Sequence, residues 1–254
     1  MEERYFEELQ RMIEENNSYP NIETTVTDRF QSAPWLTTVQ NMDILLAGVG
    51  GIGSWTALLL ARMNPRNLVL MDMDRVDKSN LSGQLYSKDD IENYKVDCIN
   101  RTLQNYANYY RGMAIRFPFT EESEAYKVMI CGFDNMKARK TYFKKWVELV
   151  KNTPEEERCN CLYVDGRLNA EKFQVLSITG DDYASMKKYA QEYLFDDSEA
   201  PHQLCSFKQT TYCAAMIASV ICNSVVNFAS HDIARPVIFF QEYDAQSLFL
   251  TQES

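Results

Sequence analysis

ILLAGVGGIGSWTALLLARMNPRNLVLMDMDRVDKSNLSGQ, residues 44–84, decides the fold. An apolar run at 44–47 gives way to Gly48, Gly50, Gly51 and Gly53, and a helical pattern follows at 54–63. A strand, a G-x-G-G-x-G turn and a helix, in that order, make a phosphate-binding loop. The glycines let the backbone turn tightly and approach an anion, and the helix N-terminus offers unpaired N–H groups and the positive end of its dipole. A side chain on any of these glycines is expected to hold a nucleotide at a distance. A second apolar run at 68–71 ends at Asp72, 19 residues past Gly53, where a carboxylate accepts from ribose hydroxyls. The expected fold is α/β: a Rossmann-like, mostly parallel sheet flanked by helices, with a strand-rich C-terminal part continuing the sheet.

Outward from this stretch, strand-like runs at 114–117 and 128–131 alternate with helical patterns at 91–110 and 137–150, the second turning Trp146 and Val150 inward. Residues 163–164 and 173–178 read as strands, and 214–228 as a long apolar helix. The polar stretch 180–198 reads as a surface excursion or mobile loop, and 237–250 as a β-hairpin broken at Asp244 and Ala245. Near the N-terminus Tyr5, Phe6, Leu9, Met12 and Ile13 recur at helical spacing, and the aromatic residues of DRFQSAPW, 28–35, are expected to anchor the chain. The division is an N-terminal helix and linker over 1–40 and a single domain over 41–254.

Hydrophobic residues make up 45% and charged residues 24% of the 254, the composition of a globular chain rather than a disordered one. The 36 acidic and 26 basic residues leave a net charge of −10, which argues against a nucleic-acid partner. Seven cysteines, an odd number scattered through apolar context, fit a reducing cytoplasm better than a disulfide framework. No apolar run is expected to approach the ~20 residues of a membrane span, so a membrane partner is not expected either. The charged N-terminus does not have the form of a signal peptide.

Four segments together, GVGGIGSW, MDMDRVDKSNLSGQ, Lys95 within NYKVD, and CGFDNMKAR, resemble the ThiF/MoeB and ubiquitin-activating-enzyme superfamily. Ordinary dinucleotide-binding folds lack the S-N-L-x-x-Q and F-D-N-x-x-x-R segments. The resemblance implies ATP- and magnesium-dependent adenylation of the C-terminus of a small ubiquitin-like or sulfur-carrier protein by a homodimer, or by half of a heterodimer. The nucleotide half would be about 41–150 and the carrier-binding half about 151–254. Asp72 would bind the ATP ribose, Lys95 would contact the triphosphate and Asp134 would hold magnesium, a hard cation served by carboxylate, phosphate and water oxygens. Asn80 and Gln84 match positions near the nucleotide, Asp74 is a weaker candidate beside Asp72, and Arg139 is expected to orient the Asp134 loop.

The chain also departs from the family. Gly83 stands where S-N-L-x-R-Q has its arginine, and Ser32 where a second arginine would reach across the dimer; of that pair Arg29 remains. A transition-state charge contact is worth several kcal/mol, so Arg4, Arg11, Lys78, Lys88 or a partner subunit would have to replace them. Cys159 and Cys161 form only C-x-C, so no zinc is expected. Cys205 lies in a loop where several relatives carry an acyl-accepting cysteine, with His202 and Lys208 near enough in sequence to favour its thiolate. A small hydrophobe at a helix entry accounts for Cys205 equally well. Cys213 and Cys222 belong to the core, and His231 reads as a capping or surface residue. Two rival functions stand beside adenylation: a catalytically impaired scaffold or half-enzyme, suggested by Gly83 and Ser32, and an NAD-dependent oxidoreductase, suggested by the glycine loop alone.

Overall fold

The computed structural model describes residues 25–195, 209–247 and 249–253. The N-terminal helical pattern, Arg4, Arg11, His202, Cys205 and Lys208 lie outside the described residues. The strands are β1 (Asp43–Ala47), β2 (Asn67–Met71), β3 (Gly112–Ile115), β4 (Val128–Cys131), β5 (Leu162–Asn169), β6 (Lys172–Thr179), β7 (Phe240–Asp244) and β8 (Phe249–Glu253). They form one sheet in the order β3-β2-β1-β4-β5-β6-β7-β8. Pairings up to β4–β5 are parallel and those from β5–β6 onward antiparallel. The α-helices are α1 (Leu36–Gln40), α2 (Gly51–Arg62), α3 (Lys95–Ala107), α4 (Met136–Asn152), α5 (Tyr183–Lys188) and α6 (Thr211–Ser230).

The central strands read as unbroken apolar runs because both faces of a parallel sheet are covered. Successive residues point to opposite faces, and the two faces differ in chemistry. On one, Ile44, Leu46, Leu68, Leu70 and Ile130 meet the aliphatic side chains of α2, α3 and α6. On the other, Leu45, Val69, Met129 and Tyr163 meet Tyr142, Phe143 and Trp146 of α4 and Tyr189 beyond α5. Fully burying one such side chain contributes about 1.5–3 kcal/mol.

Several boundaries differ from the sequence expectation. Strand β3 begins at Gly112, two residues before the expected start, because Leu68 of β2 is paired with Gly112. Helix α3 starts at Lys95 rather than Ile91, since 91–93 turn back to exchange backbone hydrogen bonds with Val76. The stretch 180–198 is not simply a surface loop: within its described part, α5 and the wide turn Tyr189–Tyr193 cover the aromatic face. Met186, Tyr189 and Tyr193 recur at three- and four-residue spacing, so the segment is amphipathic despite its charge. Helix α6 is long and apolar enough, by composition alone, to cross a membrane, which corrects the expectation for apolar runs. It is a core helix here: Ile217, Ile221, Val225 and Phe228 are buried in the aliphatic core, and it packs along α2, β5 and β6. Cys213 and Cys222 are buried in it, and exposed His231 closes it in the left-handed conformation.

One charged cluster lies inside the aromatic layer. Asp165, on β5, has no exposed surface, and it pairs with Arg139 of α4 and with Arg167 Nε at 2.8 Å. Tyr189 donates its hydroxyl to Asp165 Oδ2 at 2.9 Å, and its hydroxyl lies 3.2 Å from that of Tyr163. Arg139 also donates to Phe133 O, which fixes the loop before α4. Removing one partner of a buried ion pair leaves an uncompensated charge. Asp165→Ala is therefore expected to destabilise the fold by about 3–5 kcal/mol in urea unfolding; a loss below ~1 kcal/mol would show that the cluster is dispensable.

Candidate active site

In the order β3-β2-β1-β4 the chain proceeds outward from β1 through β2 to β3, then returns to the far side of β1 as β4. Loops leaving β1 and β4 therefore diverge, and the crevice between them, at the carboxyl ends of the strands, is where open α/β sheets bind ligands. The glycine loop follows β1, Asp72 follows β2, and Asp134 follows β4.

The glycines divide the work in a way the motif does not reveal. Gly48 takes φ +85° and packs on the main chain beyond β4, where a Cβ would lie 2.7 Å from Gly132 C. A Cβ on Gly53 would lie 2.9 Å from Gly48 C. These two glycines are required by close backbone packing. Gly50 and Gly51, at the N-terminus of α2, are partly exposed and face the site.

Asp72 is placed by the loop itself. Val49 N–H donates to its Oδ2 at 2.9 Å and Asp74 N–H to its Oδ1 at 2.8 Å. Lys95 is buried, and its Nζ lies 2.9 Å from Asp74 Oδ2. The lysine reaches this place because 74–76 and 92–95 run side by side: Lys95 N–H donates to Asp74 O, Val76 N–H to Asn93 O and Glu92 N–H to Val76 O, each at 2.9 Å. Arg75 caps the ladder with its guanidinium 3.9 Å from the Tyr94 ring centroid. Asp74 thus positions Lys95.

The Asp77–Gln84 segment is a capped turn. Asp77 accepts from Ser79 N–H, and Asn80 Oδ1 accepts from Asp77 N–H at 2.9 Å. Residues the motif did not single out tie it to the glycine loop: Tyr86 donates to Val49 O at 2.6 Å, Leu85 N–H to Ser54 Oγ at 3.0 Å, and Trp55 Nε1 to Gly83 O at 3.2 Å. Gln84 Oε1 is buried without a hydrogen-bond partner in the structure, an orphan consistent with a polar ligand at this spot.

Asp134 is exposed, 3.3 Å from Asn135 Nδ2. Asn135 caps α4 by accepting from Ala138 N–H, and Arg139 holds the Phe133 carbonyl as expected. Among the described residues no three His, Cys, Asp or Glu side chains converge as metal ligands. A single exposed carboxylate still suits magnesium carried in with phosphates and water. Arg29 and Ser32 are both exposed, ahead of α1.

A glycine loop, a carboxylate held beside a buried lysine, and a capped S-N-L turn in one crevice match the ThiF family model, which covers residues 26–252. The chain belongs to the ThiF family. Among curated relatives, the tRNA threonylcarbamoyladenosine dehydratase of Bacillus subtilis is 32% identical over 89 residues, 35% of each chain. Ubiquitin-like modifier-activating enzyme 5 of Culex quinquefasciatus is 34% identical over 70 residues, 28% of this chain and 17% of that one. The matched stretches thus span about a third and a sixth of those relatives. Among solved structures, PaaA superposes with a TM-score of 0.67 at 15% identity over 94% of this chain and 86% of its own. Escherichia coli MccB, solved with ATP, gives 0.67 at 14% over 98% and 77%. At such identities the two structures establish the shared fold.

Burial raises the Asp72 carboxyl above the ordinary aspartate value of 3.8, outweighing Lys95 and the two N–H donors, which pull it down. The native state thus takes up this proton at a higher pH than the unfolded chain. The charged carboxylate detracts from stability at neutral pH, and the deficit closes as pH falls through the folded value. Observed by carboxyl-carbon NMR, Asp72 is expected to titrate above 3.8; a midpoint at or below that value would show that the N–H donors and Lys95 outweigh burial.

Proposed function

We propose that the protein is an adenylyltransferase that uses ATP and magnesium to activate the C-terminal carboxylate of a protein or peptide, in the first place a small ubiquitin-like or sulfur-carrier protein, in the cytoplasm. In this reaction a carboxylate oxygen bonds to the α-phosphorus of ATP, the bond from that phosphorus to the bridging oxygen breaks, and pyrophosphate leaves. Gly50 and Gly51 would receive the phosphates at the N-terminus of α2, and Asp72 the ribose. Lys95 would offset charge on the leaving pyrophosphate, and Asp134 would hold magnesium between phosphate oxygens. No general base is needed, because the attacking carboxylate is already ionised at neutral pH.

The observation that carries this proposal is the placement of Lys95: a buried ammonium kept beside Asp72 by Asp74, in a protein of the ThiF family. Asp72, Lys95 and Asp134 are retained together, and a scaffold has little use for a magnesium ligand, which weighs against the impaired-enzyme alternative drawn from Gly83 and Ser32. Family membership leaves the NAD-dependent oxidoreductase without support, since it rested on the glycine loop alone. A protein or peptide substrate is favoured over tRNA by the net charge of −10. The enzyme would act as a homodimer, or as half of a heterodimer whose partner supplies an arginine.

Magnesium-dependent ATP–pyrophosphate exchange, measured with and without small proteins ending in Gly-Gly, tests the proposal. Carrier-dependent exchange is expected in the wild type. In Asp134→Ala it should fall by at least about 100-fold, the scale of one lost transition-state contact. The melting temperature should hold, because Asp134 is exposed. Normal exchange in that variant would remove Asp134 from the magnesium site, and ATP binding without exchange under any condition would favour the half-enzyme. Cys205→Ala is expected to spare exchange and block only later acyl transfer; complete transfer by that variant would make Cys205 structural.

A further inference from the structure

Gly83 replaces an arginine of the family pattern, and the structure shows what fills its place. Gly83 is buried against the side chain of Gln209, which lies just ahead of α6. A Cβ on Gly83 would lie 2.6 Å from Gln209 Nε2 and 3.0 Å from its Cγ. The same carboxamide also rests on Gly51, where a Cβ would overlap Oε1 and lie 2.6 Å from Cδ. One neutral polar group therefore spans the S-N-L turn and the N-terminus of the phosphate-loop helix. Two glycines make this possible, because a side chain at either position would displace it.

The segment carrying Gln209 is fastened at this point. Thr211 donates its hydroxyl to Ser82 O, and Gln209 forms a parallel β-bridge with Ala170. Beside it, Gln84 Oε1, next in sequence to Gly83, is buried without a hydrogen-bond partner. Unpaired buried polar atoms are costly in a finished structure. Gln84 Oε1 only accepts, so a nucleotide hydroxyl or a water would satisfy it and a phosphate oxygen would not. The phosphates are drawn instead to the N-terminus of α2, whose N–H groups and dipole select an anion beside the Gln209 carboxamide.

We propose that Gln209 contacts the phosphates of the nucleotide, its carboxamide N–H group donating a neutral hydrogen bond in the place of the family arginine. The inference rests on the adenylation proposal for its ligand. The last torsion of a glutamine is broad and roughly two-fold, so a half-turn presents Nε2 toward α2 without moving the backbone. The positive charge of the site then rests on Lys95 and magnesium, and Lys78 and Lys88, both exposed, are not required as substitutes.

Calorimetric titration of the full chain with ATP and with adenosine, magnesium present, tests this. Gln209→Ala is expected to weaken ATP binding about tenfold, the effect of losing one hydrogen bond to a charged group. Adenosine affinity should change less than about twofold, and the nucleotide-free melting temperature should hold. Gln209→Glu, nearly isosteric, should bind ATP more weakly still, because it adds a negative charge facing phosphate. Gly83→Arg should lower the melting temperature while Gln209 is present, and Gly83→Arg with Gln209→Ala should restore it and bind ATP more tightly than Gln209→Ala alone. If wild type binds ATP and Gln209→Ala binds it equally well, Gln209 is not a phosphate contact, although the adenylation proposal survives. Equal losses for ATP and adenosine would give Gln209 a structural role and overturn the inference. Absence of ATP binding by the wild type would overturn both proposals.

Discussion

The close approach of two loops at the end of the central strands is the constraint on which the rest depends. Gly48 and Gly132 lie main chain to main chain, next to the hydrogen bond that Gly132 N–H donates to Ala47 O at 2.8 Å. Gly53, in the first turn of α2, packs against Gly48 from the other side. Three residues without side chains let α2 start directly at the crevice and let the loop before Asp134 lie beside it. Larger residues here would separate the phosphate loop from the proposed metal carboxylate.

Around this contact, charge is handled in two contrasting ways. Asp165 is sealed inside the aromatic layer and fully paired, so its part is to hold α4 and the Phe133 carbonyl in place. Asp72 is held by two N–H groups but is left with a raised pKa beside a lysine. The first arrangement is closed and structural. The second leaves a partly exposed carboxyl beside Lys95 at the crevice, the kind of perturbed group that makes a candidate site.

Much of this was legible in the sequence because it is local. The α/β alternation, the glycine loop, the acid ending β2 and the C-terminal hairpin each depend on residues within about two dozen positions of one another. The covering role of α5 was obscured because the charges of the 180–195 stretch outweighed its aromatic spacing in a reading by composition. Position 83 misled for a different reason. The missing arginine was visible, but Gln209 is brought to it only by the packing of α6 on α2, and no spacing rule links residues so far apart. The motif names Lys95 but not its surroundings, and only the ladder between 74–76 and 92–95 shows why it is buried. The division of the glycines between backbone packing and ligand approach likewise requires the fold.

Helix α6 carries a consequence for how the chain is made. Synthesis proceeds from the N-terminus, and α2 emerges from the ribosome long before the helix it packs against. Until α6 follows, the aliphatic face of α2 that it will cover remains open to water, along with Ile52 and Gly166, which meet Ile217 and Ile221. A nascent chain paused before residue 211 presents a nearly complete parallel sheet with one side unsealed, the kind of surface that chaperones shield. The nucleotide crevice is therefore one of the last parts of the molecule to be completed, although its defining motif is among the first to be translated.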